Sequence, residues 1–256
     1  MKSLIFGILL LLIQPSIVLA WGGYAVGGLT ITDKKNIEVV SQDLYLSLGL
    51  VKSDYIFKNT GNNDILTDVK FILPSVDQYP DLDESHPGNF RFFHNNTEIF
   101  PSFTTINVDE AEGACVDGND DCLEQTTYFW SHRFRPGKEV KITLQYEPAV
   151  AGDFGGFNDT ENEYCVKDDY LPAIKKRHQN GFTFWMDHFL TFSPANNLGK
   201  VKNFRLVVDK GDANSLISFC GENVKKISPT KFEMLKTDYL PPESFEILWS
   251  TGFTKQ

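Results

Sequence analysis

Apolar and polar residues alternate with period two along much of the chain. Val140, Ile142, Leu144 and Tyr146 alternate with Lys141, Thr143, Gln145 and Glu147. That pattern predicts a strand with one face in a core and the other in water. Val51, Ser53, Tyr55 and Phe57 alternate in the same way with Lys52, Asp54 and Lys58, and Phe204, Leu206 and Val208 with Arg205 and Asp209. Residues 65–73 read as a further strand, stopped by Pro74. Turn residues separate these runs. Asn59-Thr60-Gly61-Asn62-Asn63-Asp64 joins two of them, and Arg135-Pro136-Gly137-Lys138 lies between strands over 128–134 and 139–147. Many short strands punctuated by Gly, Pro and Asn predict a mainly β protein, an antiparallel β-sandwich built as one large or two adjacent sandwiches.

One stretch breaks the period. Residues 168–179 begin with Asp168 and Asp169 and end with Lys175, Lys176, Arg177 and His178, before Asn180-Gly181. Acids first and bases last complement a helix dipole, and Pro172 fits near a first turn, so a short helix is expected here. Residues 109–124 and 153–169 are acidic and read as loops. A boundary near residue 150 divides the chain into an N-terminal β-sandwich region over 21–150 and a C-terminal β-rich region with the helix over 151–256.

The first twenty residues change the setting. Lys2, an apolar run from Leu4 to Ile13, the break at Pro15-Ser16, and Val18 and Ala20 have the layout of a signal peptide cleaved near Ala20. The apolar run is too short to cross a bilayer. The expectation is a periplasmic or secreted protein with no transmembrane segment in the mature chain. Beyond residue 20 there are 23 basic and 34 acidic residues, a net charge of −11. That charge argues against nucleic acid as a partner and against unaided docking on anionic lipid.

Export makes disulfides the default for Cys115, Cys122, Cys165 and Cys220. Of the three pairings, Cys115–Cys122 with Cys165–Cys220 is favoured: the first closes a short loop and the second joins distant segments. A four-cysteine zinc site is disfavoured because no C-x-x-C pair exists. Inside the short loop, oxygen-bearing residues alternate at Asp117, Asn119 and Asp121, with Glu124 nearby. They form a candidate calcium site, although Cys122 stands where an EF-hand needs Gly. The bland alternative is a solvated acidic loop. No other cofactor is expected.

Catalytic signatures are missing from the sequence. It contains no G-x-S-x-G, H-E-x-x-H or phosphate-binding glycine loop. His132, between Trp130 and Phe134 on a strand face, reads as a satisfied, half-buried histidine rather than a catalytic base. Asp187 and His188 are neighbours in a strand and point to opposite faces, so the acid does not orient the imidazole. The densest aromatic cluster, Phe182, Phe184, Trp185, Phe189 and Phe192, reads as core or as an exposed binding patch.

Several segments resemble an uncharacterised bacterial exported family, domain of unknown function 4424. They are Gly27-Gly28-Leu29, residues 42–47 and 55–59, Phe71-Ile72-Leu73-Pro74, Tyr128-Phe129-Trp130, residues 134–138, Tyr146-Glu147-Pro148, residues 204–211, Ser218-Phe219-Cys220 and Lys225-Lys226-Ile227. The resemblance spans nearly the whole mature chain, rests on turn and core residues, and implies export without implying a mechanism. The run from Phe57-Lys58-Asn59 to Leu73-Pro74 is also similar to vault/inter-alpha-trypsin-type β-sandwich domains. The first functional expectation is a non-enzymatic module that binds an envelope protein or component. The alternatives are a secreted hydrolase using carboxylates or a histidine, and a calcium-stabilised structural module.

Overall fold

The computed structural model describes residues 26–73, 76–77, 87–109, 122–148, 150–153, 164–179, 182–193, 198–242 and 245–254. In chain order the first strands are β1 (Val26–Gly27), β2 (Leu29–Ile31), β3 (Ile37–Ser47), β4 (Leu50–Asn59), β5 (Ile65–Ile72), β6 (Val76–Asp77), β7 (Gly88–His94), β8 (Thr97–Ile99) and β9 (Ser102–Asp109). They are followed by β10 (Cys122–Phe134), β11 (Glu139–Glu147) and β12 (Ala151–Asp153), then helix α1 (Tyr170–Gln179). The chain continues through β13 (Phe182–Ser193), β14 (Val201–Asp209), β15 (Leu216–Phe219), β16 (Lys225–Lys226), β17 (Lys231–Tyr239) and β18 (Phe245–Thr254).

An eight-stranded sheet in the order β16-β17-β14-β3-β4-β11-β7-β8 forms the common layer. Its pairings are antiparallel except β14 with β3, which run parallel with Leu206 beside Leu44. Two five-stranded sheets pack against it: β2-β5-β10-β6 with β9 on β10, and β1-β13-β18-β15 with β12 on β13. Ring contacts mark the two seams. Phe57 meets Phe134, and Phe71 meets Phe92 and Tyr146, on the first; Phe204 stacks on Phe245 on the second.

The period-two reading holds on β4 and β11 but breaks at the end of β14, where Val207 and Asp209 are buried beside Leu206 and Val208 because Asp209 is held by internal hydrogen bonds. On β4, Val51, Ser53, Tyr55, Phe57 and Asn59 are buried while Lys52, Asp54 and Lys58 are not, and on β11 Val140, Ile142, Leu144 and Tyr146 are buried. One cluster gathers Val51, Tyr55, Phe57 and the four β11 residues with Leu44, Leu206, Ile247 and Trp249 across all three sheets. Each large side chain so buried contributes roughly 1.5–3 kcal/mol.

Two places hold the layers in register. The turns at 59–64 and 135–138 both carry the chain between sheets, since β4 and β11 lie in the large sheet and β5 and β10 in a small one. Buried Asn59 ties the two turns together. Its Nδ2 donates to the carbonyls of Asn63 and Phe134, both at 2.8 Å, and its Oδ1 accepts from the Gly61 N–H at 2.8 Å. Its own carbonyl accepts from the N–H of Gly137, whose φ of +67° suits glycine.

The second place is Asp209-Lys210-Gly211. Asp209 accepts from the Tyr45 hydroxyl at 2.8 Å and the Gly211 N–H at 2.9 Å, and its carbonyl accepts from Trp249 Nε1 at 3.3 Å. Burial, together with the Asp209 hydrogen bond, pushes the Tyr45 phenol up to about 12. Buried Lys210 donates to the carbonyls of Ala213 and Ser215 at 2.6 and 2.5 Å.

The helix forms where expected. The Ala173 N–H donates to the Asp169 carbonyl at 3.0 Å, and Pro172 is the third helical residue, where its missing N–H costs nothing. The acidic stretch at 109–124 differs at its end. Cys122, Leu123 and Glu124 belong to β10, because backbone pairing with β9 and β6 outweighs their local polarity.

Candidate binding cleft

Strand β15 is the outer strand of its sheet and carries no charge: Leu216-Ile217-Ser218-Phe219. An uncovered edge of this kind invites pairing with another chain. Residues 164–179 form a strap across the face of β15 and β18 that carries Leu216, Ser218, Leu248 and Ser250. Cys165 is bonded to Cys220 with Cα atoms 5.0 Å apart, which confirms that predicted pairing, and the Ser218 hydroxyl donates to the Tyr164 carbonyl at 2.9 Å. Further along, the Tyr170 hydroxyl lies 2.9 Å from Ser250 Oγ. Tyr164, Tyr170 and Leu248 form a small core of their own, joined by Val166, Ile174 and Leu216 and separate from the main one. Cys165 has a φ of +51°, a left-handed conformation uncommon for a residue with a side chain.

The strap does not fill the space beside β15. A cleft of about 530 Å³ runs between Lys167, Asp169, Tyr170 and Ala173 on one wall and β15, Val224 and Phe232 on the other. A second, of about 480 Å³, lies past the disulfide, against Met234, Tyr239, Pro242 and Phe245. Cys165 and Gly221 border both. A Cβ on Gly221 would come within 2.7 Å of the Val224 side chain, so only glycine fits at that junction. In the second cleft, Lys236 pairs with Glu222 at 2.5 Å and stands 6.0 Å from the Tyr239 ring centre. The hydrogen bond from Lys236 holds the Glu222 carboxyl below its usual range, and burial raises the Tyr239 phenol. Largely apolar walls with a few charged groups at the rim suit the capture of a small ligand or chain segment, at a volume common for such sites.

The residues singled out from sequence lie elsewhere. Asp117, Asn119 and Asp121 of the candidate calcium loop fall outside the described residues, as do Cys115 and the signal segment 1–20. The Glu124 backbone pairs with Val76 and Asn107 on β10. The backbones of Phe182, Phe184, Trp185 and Phe189 lie on β13, opposite Thr254, Phe253, Gly252 and Leu248 of β18. His188 and Asp187 occupy successive positions on the same strand.

His132 is half-buried, as expected, but not satisfied. Its Nε2 has no hydrogen-bond partner, and neither do the neighbouring Trp130 Nε1 and the hydroxyl of buried Tyr146. Its ring lies 4.7 Å from that of His94 across the seam between the two sheets. Burial, with His94 beside it, pushes the His132 imidazole down to about 4, so it is neutral at pH 7. Sequence reasoning missed the cleft walls at 216–219, Val224 and Phe232; the Cys165–Cys220 pairing was the one signal leading to them.

The architecture is that of a multi-sheet β-sandwich carrying a disulfide-anchored strap. The chain belongs to the family described as domain of unknown function (DUF4424), which matches residues 21–120 and 121–248. Among solved structures, a Legionella pneumophila protein described provisionally as a nutrient binding protein is similar at 13% identity with a TM-score of 0.55. That match covers 89% of this chain and 71% of that one. An M1 zinc metallopeptidase from Deinococcus radiodurans, solved as a mutant with a bound peptide substrate, aligns at 10% identity with a TM-score of 0.31 over 84% of this chain and 42% of its own. A further M1 metallopeptidase structure from Deinococcus radiodurans aligns at 8% identity and a TM-score of 0.29, over 83% and 42%. The chain thus spans under half the length of these peptidases, and the likeness carries no argument about activity. No curated protein matches the chain. Among the described residues no helix is long and apolar enough to cross a membrane.

Proposed function

We propose that the protein is an exported, non-enzymatic binding module that takes an envelope component into the cleft beside β15. The observation that carries the reading is the cleft itself: about 530 Å³ of mostly apolar space, walled by an edge strand and a strap that does not fill the gap beside it. The Cys165–Cys220 disulfide supports maturation in an oxidising compartment. The likeness to a protein named for nutrient binding supports a binding role over a catalytic one. The layout of residues 1–20 supports export with cleavage near Ala20.

Native mass spectrometry of the protein exported from its full-length gene tests this directly. The expected species begins at Trp21 and carries a copurified adduct. Val224→Trp, which fills the cleft, is expected to lose the adduct while keeping the fold. A bare wild-type mass, or an adduct indifferent to Val224→Trp, refutes the cleft as the binding site. The same spectrum reads any calcium held by the loop containing Asp117, Asn119, Asp121 and Glu124.

A further inference from the structure

We propose that the second cleft, past the disulfide, is a site for a carboxylic acid with an apolar tail, in which Lys236 takes the carboxylate. The site is separate from the cleft beside β15 and does not rest on it.

The placement of Lys236 comes from β17. Phe232, Met234 and Lys236 share one face of that strand, in register with Val208, Leu206 and Phe204 of β14. Those three β14 residues are buried in the main core, so Lys236 carries its charge on the inner face of the large sheet. Its side chain is only 18% exposed. Phe204 packs on Tyr239 with ring centres 5.0 Å apart and on Phe245 at 6.1 Å, so the lysine lies along an aromatic wall. An ammonium drawn this far out of water needs a counter-charge. Glu222 supplies it at 2.5 Å, yet the Glu222 side chain is 84% exposed. The pair is thus a core-facing cation held by a surface arm. A carboxylate so open to water adds little net strength to its ion pair and gives way to a competitor.

The walls and the charge pattern fix the chemistry of that competitor. The cleft encloses about 480 Å³ against Met234, Tyr239, Pro242 and Phe245, which suits an alkyl tail. Its charge is one-sided where the tail would end. Glu222 and Glu246 both border the cleft. Glu246, however, follows Phe245 along β18 and projects to the opposite face, the strap side that carries Leu248. Among the described residues that leaves Glu222 as the carboxylate facing Lys236, and its oxygens mark where the ligand's own carboxylate docks. On binding, Glu222 turns to solvent, the tail covers Met234 and Phe245, and Lys236 keeps a partner throughout. No covalent bond is made or broken.

Isothermal titration calorimetry of the disulfide-bonded protein with octanoate, and with octylamine as the opposite charge on the same tail, tests the site. Octanoate is expected to bind one per chain, and octylamine at least about tenfold more weakly. Lys236→Met keeps the bulk of the stem and is expected to weaken octanoate about tenfold, the scale of one charge-assisted hydrogen bond, while Lys236→Arg restores it. Glu222→Gln removes the competing carboxylate and is expected to tighten octanoate several-fold, an effect that a purely structural ion pair would not produce. Val224→Trp, in the other cleft, is expected to leave octanoate binding unchanged. No octanoate binding at millimolar concentration, equal binding of octylamine, or an affinity indifferent to Lys236→Met overturns the site. Loss of octanoate binding in Val224→Trp also overturns it, by placing the acid beside β15, and leaves the cleft reading above intact. Should Lys236→Met lose its circular dichroism signal, Glu222→Gln decides alone: an unchanged octanoate affinity overturns the proposal.

Discussion

Removing the Asn59 side chain as Asn59→Ala unties the two turns that carry the chain between sheets. The substitution deletes two donated hydrogen bonds, to Asn63 O and Phe134 O, and one accepted from Gly61 N, each at 2.8 Å. Asn59 is fully buried, so water does not simply take its place. A typical intramolecular hydrogen bond nets about 1 kcal/mol, and a buried group left unpaired costs about 1–3 kcal/mol. Three bonds lost, with the buried Phe134 carbonyl deprived of this donor, come to roughly 3–5 kcal/mol. The assay is equilibrium unfolding in urea by tryptophan fluorescence, with the loss read from a lowered midpoint at constant slope. Asn59→Asp sharpens the test. It keeps an acceptor for Gly61 but places a carboxylate against two carbonyls, so it is expected to destabilise at least as much as Asn59→Ala. A loss below about 1 kcal/mol for Asn59→Ala, or an Asp variant more stable than the Ala variant, refutes the reasoning.

Lys210→Met removes the ammonium that satisfies the carbonyls of Ala213 and Ser215 and is expected to cost roughly 2–4 kcal/mol, measured in the same urea titration; a cost under about 0.5 kcal/mol shows that those carbonyls find other donors. His132 makes stability depend on acid. Its folded pKa of about 4 lies below the unfolded value near 6.5, so the unfolded chain binds the extra proton first, and stability falls as pH drops from about 6.5 towards 4. Water reaches part of the His132 side chain, and the His94 ring lies across the seam from it. Urea midpoints of wild type and His132→Phe between pH 7 and 4 are expected to diverge, with the variant losing less; parallel curves would remove His132 as the cause.

What the sequence determined by itself was local. Alternation in residues 51–57 and 139–147 identified strands and the face each one buries, because a pleated chain sends successive side chains to opposite sides; in 204–209 it identified the strand but not the burial of Val207 and Asp209. The helix at 170–179 was legible from its charge polarity and its early proline, both properties of a single segment. The Cys165–Cys220 pair was reachable because only three pairings exist. Tertiary structure decided the rest. Turn residues at 59–64 and 135–138 announce a change of direction, but nothing local says that each turn moves the chain to a different sheet; that depends on which strands compete for pairing. The parallel seam of β14 against β3 joins residues about 160 positions apart, a choice made by the global arrangement of hydrogen-bonding edges. The extra strand residues Cys122–Glu124 owe their conformation to β9 and β6. The cleft was least legible of all. Leu216, Ile217, Phe219, Val224 and Phe232 read as ordinary apolar residues, and they become walls only because a short strap, tied at Cys165, stops short of filling the space beside an edge strand. A gap is set by how far two surfaces approach each other, and no single segment carries that distance.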